Sequence, residues 1–595
     1  MTITNYPFPE AAFAELAEGG GSPATMRRLG DAQRSKHLML LHAIAEAVTG
    51  PGAGPAAFRA GYEQLARIQD RAPGAAAWLL GLPHLGGWVH DTLIHLDQGT
   101  AADFGHFACL VAAAAIRAGL PADLDVPVQD GRVRLPGLGS LLVPGEKSWV
   151  RLRCDGARVT AGDGFAAEAR RLVPDEGTGA PDDGPDDGTV PGWSGTPAVR
   201  ADGGGLAWTV LLETGDPYLD RYTLPMRTAM PAGEAADWRE RVRTAWQIVA
   251  ARHRWAAEPM ADVVSVIVPL TPRSDTDLVS ATTPAAYGAI ATSWPPDEVT
   301  LAETLVHEFQ HVKLCGLLDM VPLAASGDER VYAPWRQDPR PAGGLLQGIY
   351  AHLGIVRFWQ AQQHAETDPD GLLRAQVLFA RWRPAIGETV QTLLETGSLT
   401  PAGVRFAGRL RAQGQQLMSA PVPAQAARIA AEVALDHRLT WQLRHVAADA
   451  AEVAGLADAY RRGEPCPGAA RTWIQEDVRK VDSGLRSRLL NLRYLEPGRY
   501  RALCAGGVLP LSAADRLLLE RDSEAAVQAY RAQIAGSAGP QPDAWIGLAL
   551  ALDQLPPSPP QAVLAVLATR LVQVAEVHTR LGGRDDPLDL AGWFT

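Results

Sequence analysis

The run His307-Glu308-Phe309-Gln310-His311 constrains this chain more than any other five residues in it. Histidines four apart share one face of an α-helix, so His307 and His311 can both point an imidazole at one metal ion. The flanking residues predict that helix. Pro295-Pro296 closes the preceding segment, Asp297 is placed to cap exposed N–H groups, and Glu298 suits the positive first turn. Val299, Ala302, Leu305, Val306, Phe309 and Val312 supply a core-facing surface that Leu314, Leu317 and Leu318 carry on. Glu303 falls one turn before His307 on the histidine stripe, where its carboxylate can hydrogen-bond a metal-binding imidazole.

Upstream, Ala261 to Leu270 reads as a strand, and Val279 to Ser293 as a second, proline-interrupted edge strand. A strand delivering the chain into an H-E-x-x-H helix is a zincin-like layout. The expected fold class is therefore α+β and predominantly helical. A zincin-like core of strand and H-E-x-x-H helix would be joined by a small β-rich region and a helical C-terminal region.

Four regions are expected. Residues 1–123 read as helical, with Arg34 to Val48 the clearest segment and Phe104 to Leu120 a buried one. Between them, Ala75 to Leu96 should break near Pro83 and Gly86-Gly87. His37 and His42, like His90 and His95, are five apart, poor spacing for two ligands on one helix, so all four are read as packing or hydrogen-bonding residues. Residues 124–225 change to short strands, with hairpin turns at Asp130-Gly131 and Asp155-Gly156. Within them, 174–205 is rich in Gly, Pro and Asp and lacks the ligand spacing of an EF-hand, so a disordered surface loop is expected. Residues 226–365 form the metal-site domain, with a helix over Asp237 to Ala257 and a second after Gly343-Gly344. Residues 366–595 read as helical, and Asp522 to Tyr530 with Pro542 to Leu550 resembles one tetratricopeptide-type pair without a second copy.

Composition excludes several partners. A net charge of −12 argues against nucleic acid or an anionic membrane surface. The N-terminus lacks the basic and apolar runs of a signal peptide, and no apolar run of about 18 residues is free of charge, so no membrane span is expected. Cys109, Cys154, Cys315, Cys466 and Cys504 are odd in number and widely separated. They suit a cytoplasmic protein and offer neither a C-x-x-C zinc site nor an iron–sulfur cluster.

A catalytic metal needs about three protein ligands plus open positions. His352 is the first choice for the third, being a polar group in an apolar helix beside Tyr350, Leu353 and Val356. Asp319 is the runner-up and Glu329 a weaker candidate. Glu303 and Tyr350 are the residues expected to support the ligands. With zinc, Glu308 would activate a bound water for peptide hydrolysis. With Fe(II), two histidines and a third ligand leave positions for an oxo-acid and oxygen, and Arg336 or Arg340 could grip the oxo-acid's far carboxylate.

The runs T-L-V-H-E-F-Q-H-V-K-L (304–314), V-S-A-T-T-P-A-A-Y-G-A-I (279–290), Y-A-P-W-R-Q-D-P-R-P (332–341) and G-L-L-Q-G-I-Y-A-H-L (344–353) resemble the HExxH-motif proteins of ribosomal-peptide biosynthesis. That family is similar to 2-oxoglutarate-dependent, iron-using peptide β-hydroxylases, fused in some members to a radical SAM enzyme. The resemblance implies iron on His307 and His311 with His352 as third ligand, a Glu308 without hydrolytic role, and a precursor peptide as substrate. No C-x-x-x-C-x-x-C is present, so the radical SAM half is not expected. A zinc-dependent zincin-type peptidase and a non-catalytic peptide-binding protein with a structural metal are the competing readings.

Overall fold

The computed structural model describes residues 8–595 apart from 49, 163, 174–189, 221–224, 273–277, 326, 328, 476–480, 482–483, 506–509, 537–539 and 557–559. The acidic run expected as a loop at 181–188 lies outside the described residues. The class is α+β and mostly helical, with several small sheets. The chain divides into two compact units, Met1–Pro322 and Leu323–Thr595. The division falls inside the 226–365 stretch, just after the histidine helix.

In the first unit the early helices are Pro23–Ala47, Ala53–Arg71, Pro73–Gly81, Pro83–Asp97 and Gly105–Ala118. Ser22 caps the first of these, and Pro83 forces Leu82 into an extended conformation that separates two helices. Gly86 and Gly87, expected to break a helix, lie inside one. Their missing side chains serve packing: a Cβ on Gly86 would stand 2.2 Å from the Ala285 carbonyl oxygen, and one on Gly87 2.3 Å from that of Tyr218. The helix Gly105–Ala118 is apolar all round because almost all of it is buried, and Gly119, at φ 61°, ends it in the left-handed conformation.

That helix packs on an antiparallel meander ordered Pro121–Pro127, Trp149–Asp155, Arg158–Ala161, Phe165–Glu168. Leu41, Phe58, Trp88 and Phe107 from the helices share one apolar core with Leu124, Val150, Val159 and Phe165 from the strands. The expected boundary at 123/124 therefore separates no cores. The turn Asp130-Gly131 forms as predicted, both residues at positive φ, and Asp155-Gly156 joins two paired strands. The 174–205 stretch is not loop throughout: Trp193–Gly195 and Ala198–Gly203 are strands. Trp193–Gly195 gains its ladder from the distant Gly139–Leu142, which local composition does not register, whereas Ala198–Gly203 forms a hairpin with Leu206–Leu212 through Gly204-Gly205, both at positive φ.

A five-stranded mixed sheet precedes the histidine helix, in the order Ser280–Ala281, Ala289–Thr292, Val266–Pro269, Leu206–Leu212, Ala198–Gly203. Two expectations need correcting. Ala261 to Val263 ends a helix, Arg254–Val263, so the strand begins only at Val266. Val279 to Ser293 is not one edge strand: Ser280–Ala281 is the edge, a short 3-10 turn follows at Pro284–Ala286, and Ala289–Thr292 lies inside the sheet, parallel to Val266–Pro269. The helix over Asp237 to Ala257 spans Ala232–Arg252.

The second unit is mainly helical, as expected. Ala342–Ala365 packs on Pro369–Glu395, which in turn packs on Pro401–Met418 and Ala424–His445. A small antiparallel pair, Val446–Ala448 with Thr472–Ile474, interrupts the helices. The expected helix pair forms as Ser523–Ala535 and Pro542–Asp553; a Cβ on Gly547 would stand 2.2 Å from the Tyr530 ring. One helix, Gln561–Arg580, is long and apolar enough by composition to cross a membrane. It carries Arg570 and Glu576, and it buries Leu567, Leu571, Val574 and Val577.

Candidate metal centre

The histidine helix runs Glu298–Leu318. Asp297 caps it, its Oδ1 accepting the Thr300 N–H at 2.6 Å, and Ala302, Leu305, Val306, Phe309 and Val312 are fully buried. Two residues on from His311, Lys313 is wholly buried. Its Nζ donates to the carbonyl oxygens of Gly19 and Gly20 at 2.7 and 2.8 Å, just beyond the C-terminus of the helix Glu10–Ala17. A cation is favoured at that end of a helix, so the lysine also fastens the N-terminal segment to the histidine helix.

His307 and His311 stand on one face, their ring centroids 4.9 Å apart at an interplanar angle of 74°. Although 22% of the His307 side chain stays exposed, dense packing around the ring lowers its pKa from 6.5 to about 4. Glu308 beside it opposes that shift and His311 adds to it. The imidazole is therefore neutral near pH 7, the form that binds a metal ion. Two imidazoles side by side on one helix face are donors that a first-row divalent cation takes. Among the described residues no group of three His, Cys, Asp or Glu side chains is arranged to hold a metal ion.

Glu308 has only 2% of its side chain exposed, and both its oxygens are engaged. Ser280 Oγ donates to Oε1 at 2.6 Å and Thr282 Oγ1 donates to Oε2 at 2.8 Å. These hydroxyls come from the edge strand and the residue after it. Neither was assigned a role from sequence, yet their spacing of two was the available signal, since alternate residues of a strand face the same side. Glu308 Oε1 lies 3.8 Å from His307 Nε2. Glu303 is half-buried one turn before His307.

The runner-up ligand, Asp319, is committed elsewhere. Its Oδ2 accepts from Gln33 Nε2 at 2.6 Å and from Lys36 Nζ at 2.7 Å, and eight residues of helix put it about 12 Å along the axis from His311.

The second unit carries the remaining candidates. His352 is buried on Ala342–Ala365, with Nδ1 2.9 Å from the Gly348 carbonyl oxygen. A carbonyl only accepts, so the ring proton sits on Nδ1 and the lone pair on Nε2. That is the tautomer of a metal-binding histidine held through its other nitrogen. The ring stacks on Trp335 at 4.3 Å and meets Trp382 edge-on at 4.9 Å. Tyr350 is fully buried and packs against Phe406; burial raises its pKa far above the usual range. Two residues from His352, it points to a different side of the helix. Arg336 and Arg340 both hold Asp338: Arg336 Nε lies 2.9 Å from Oδ1, and Arg340 Nη1 lies 3.1 Å from Oδ2. Glu329 is exposed.

No protein-family model matches the chain, and no curated protein is significantly similar to it.

Proposed function

We propose that the chain is an Fe(II)- and 2-oxoglutarate-dependent hydroxylase acting in the cytoplasm on the β-carbon of a residue in a ribosomally made precursor peptide. Bound iron would supply the oxidising chemistry: one atom of dioxygen enters the peptide's C–H bond and the other enters succinate, formed from 2-oxoglutarate with loss of carbon dioxide.

The observation that carries this reading is the state of Glu308. A zincin-type peptidase needs that carboxylate to take a proton from a metal-activated water. Here both oxygens already accept short hydroxyl hydrogen bonds, which suits a residue that shapes the site rather than one that carries a proton. The histidine pair would hold the metal, with His307 kept neutral by burial. Ser280–Ala281, the edge strand whose hydroxyl holds Glu308, has no strand on its outer side among the described residues. An extended peptide can add to such an edge. The zincin-like core stays part of this proposal.

The test is incubation of anaerobically purified chain with Fe(II), 2-oxoglutarate, air and a library of short peptides. The expected product is heavier by one oxygen atom, with succinate formed in equal amount. A peptide cleaved in the presence of zinc, with no succinate, would overturn the proposal.

A further inference from the structure

The first unit holds a second concentration of buried polar groups, which the proposed function does not use. His84 Nε2 stands 2.9 Å from Glu213 Oε2, with both side chains buried. Tyr218 donates its hydroxyl to Asp103 Oδ2 at 3.0 Å, and its ring lies 4.5 Å from that of His106. Asp216 Oδ1 accepts the Tyr218 N–H at 2.9 Å. Its other oxygen, on a side chain only 4% exposed, has no hydrogen-bond partner among the described residues; His106 Nε2, equally without one among them, is 3.7 Å away. Buried carboxylate oxygens are almost always hydrogen-bonded, so this one calls for an explanation.

Glu213 and Asp216 line a cavity of about 310 Å³ together with Arg132, Arg134, Ser140 and Thr228. Arg132 Nη1 reaches Ser140 Oγ at 3.3 Å. Arg134 lies against the backbone at Gly215, where a Cβ would come within 2.7 Å of its Nη1. Gly215 is at φ 84°, so both its conformation and the guanidinium's approach require glycine. Among the described residues neither arginine is ion-paired with Glu213 or Asp216.

The cavity is lined by groups of both signs. Glu213 is matched by His84, and Asp216 is the second carboxyl group of the lining. The guanidinium groups of Arg132 and Arg134 and the hydroxyls of Ser140 and Thr228 line the same cavity. A ligand carrying only one sign of charge would satisfy one set of groups and leave the other unpaired. A small zwitterion satisfies both, and guanidinium groups grip a carboxylate with two parallel hydrogen bonds. We propose that this cavity binds a free α-amino acid, its ammonium on Asp216 and its carboxylate on Arg134 and Arg132. Every residue involved lies between 84 and 228, so the inference stands or falls independently of the metal.

Thermal-shift screening of the full chain against each of the twenty free amino acids, followed by calorimetric titration, tests it. At least one should bind with Kd about 1 mM or tighter. Its analogues lacking the amino or the carboxyl group should bind about tenfold more weakly or worse. Asp216→Asn and Arg134→Gln should each weaken binding by about tenfold or more, with the far-ultraviolet circular dichroism of the parent retained. If Asp216→Asn does not fold, Arg132→Gln must show the loss instead. Failure of all twenty to bind would overturn the proposal. So would analogues that bind as tightly as the amino acid, or folded variants that bind it undiminished.

Discussion

At the scale of single residues, the metal reading rests on two imidazoles and one carboxylate. His307→Ala and His311→Ala should each abolish metal binding, measured by elemental analysis of the folded proteins; parent-like metal in both would remove the site. His352→Ala is the companion measurement, since loss equal to theirs makes it a ligand and full retention excludes it. Glu308→Gln should keep the metal and cost less than about tenfold in hydroxylation rate, because a residue that shapes a site is worth less than one that moves a proton. A loss of about a thousandfold would make Glu308 a proton carrier. Arg336 and Arg340 already share Asp338. If either serves 2-oxoglutarate, it must exchange one carboxylate for the other, so Asp338→Asn should lower the KM for 2-oxoglutarate. An unchanged KM assigns both arginines to Asp338 alone.

At the scale of elements, two close contacts position the candidate ligands. Lys313 ties the histidine helix to the segment after Glu10–Ala17 through two carbonyl oxygens. Lys313→Met keeps the length and removes the ammonium donor from both carbonyls, at a cost of about 1–3 kcal/mol. The expected readout is faster proteolysis before about residue 22, and parent-like protection would show the latch to be idle. In the second unit, a Cβ on Gly348 would stand 2.2 Å from Trp335 Nε1, on the ring that stacks against His352. Gly348→Ala should lower stability by about 1–3 kcal/mol in chemical denaturation, since crowding of a packed core forces side chains off their preferred positions. No change in midpoint would mean that Trp335 moves aside freely.

At the scale of the whole molecule, buried histidines set the response to acid. Burial holds His37 and His253 in the first unit, and His437 in the second, at a pKa of about 4 against an ordinary 6.5. The folded state thus binds these protons more weakly than the unfolded chain. The stability they contribute is complete above pH 6.5 and is lost as the pH falls from there towards 4. For His37, on the order of 3 kcal/mol is at stake. Its Nδ1 is 2.8 Å from the Leu80 carbonyl oxygen, a contact an asparagine amide can imitate. Thermal unfolding midpoints should therefore drop across that window in the parent and drop less in His37→Asn. A midpoint independent of pH between 6.5 and 4 would contradict the burial argument.

What the sequence by itself determined is local. The capped histidine helix, the two hairpin turns, the left-handed stop at Gly119 and the helical second half all follow from residues near one another, because capping, turn conformation and helical periodicity act within a few positions. Only the tertiary structure decided which groups meet across long stretches of chain. It put Ser280 and Thr282 on Glu308, Gly19 and Gly20 on Lys313, and a strand where composition suggested loop at Trp193–Gly195. It also drew His84, Arg134 and the pair Glu213 and Asp216 towards one cavity region from three separate segments. Such contacts are selected by the free energy of burying and pairing groups far apart in sequence, and no short window of residues contains that term.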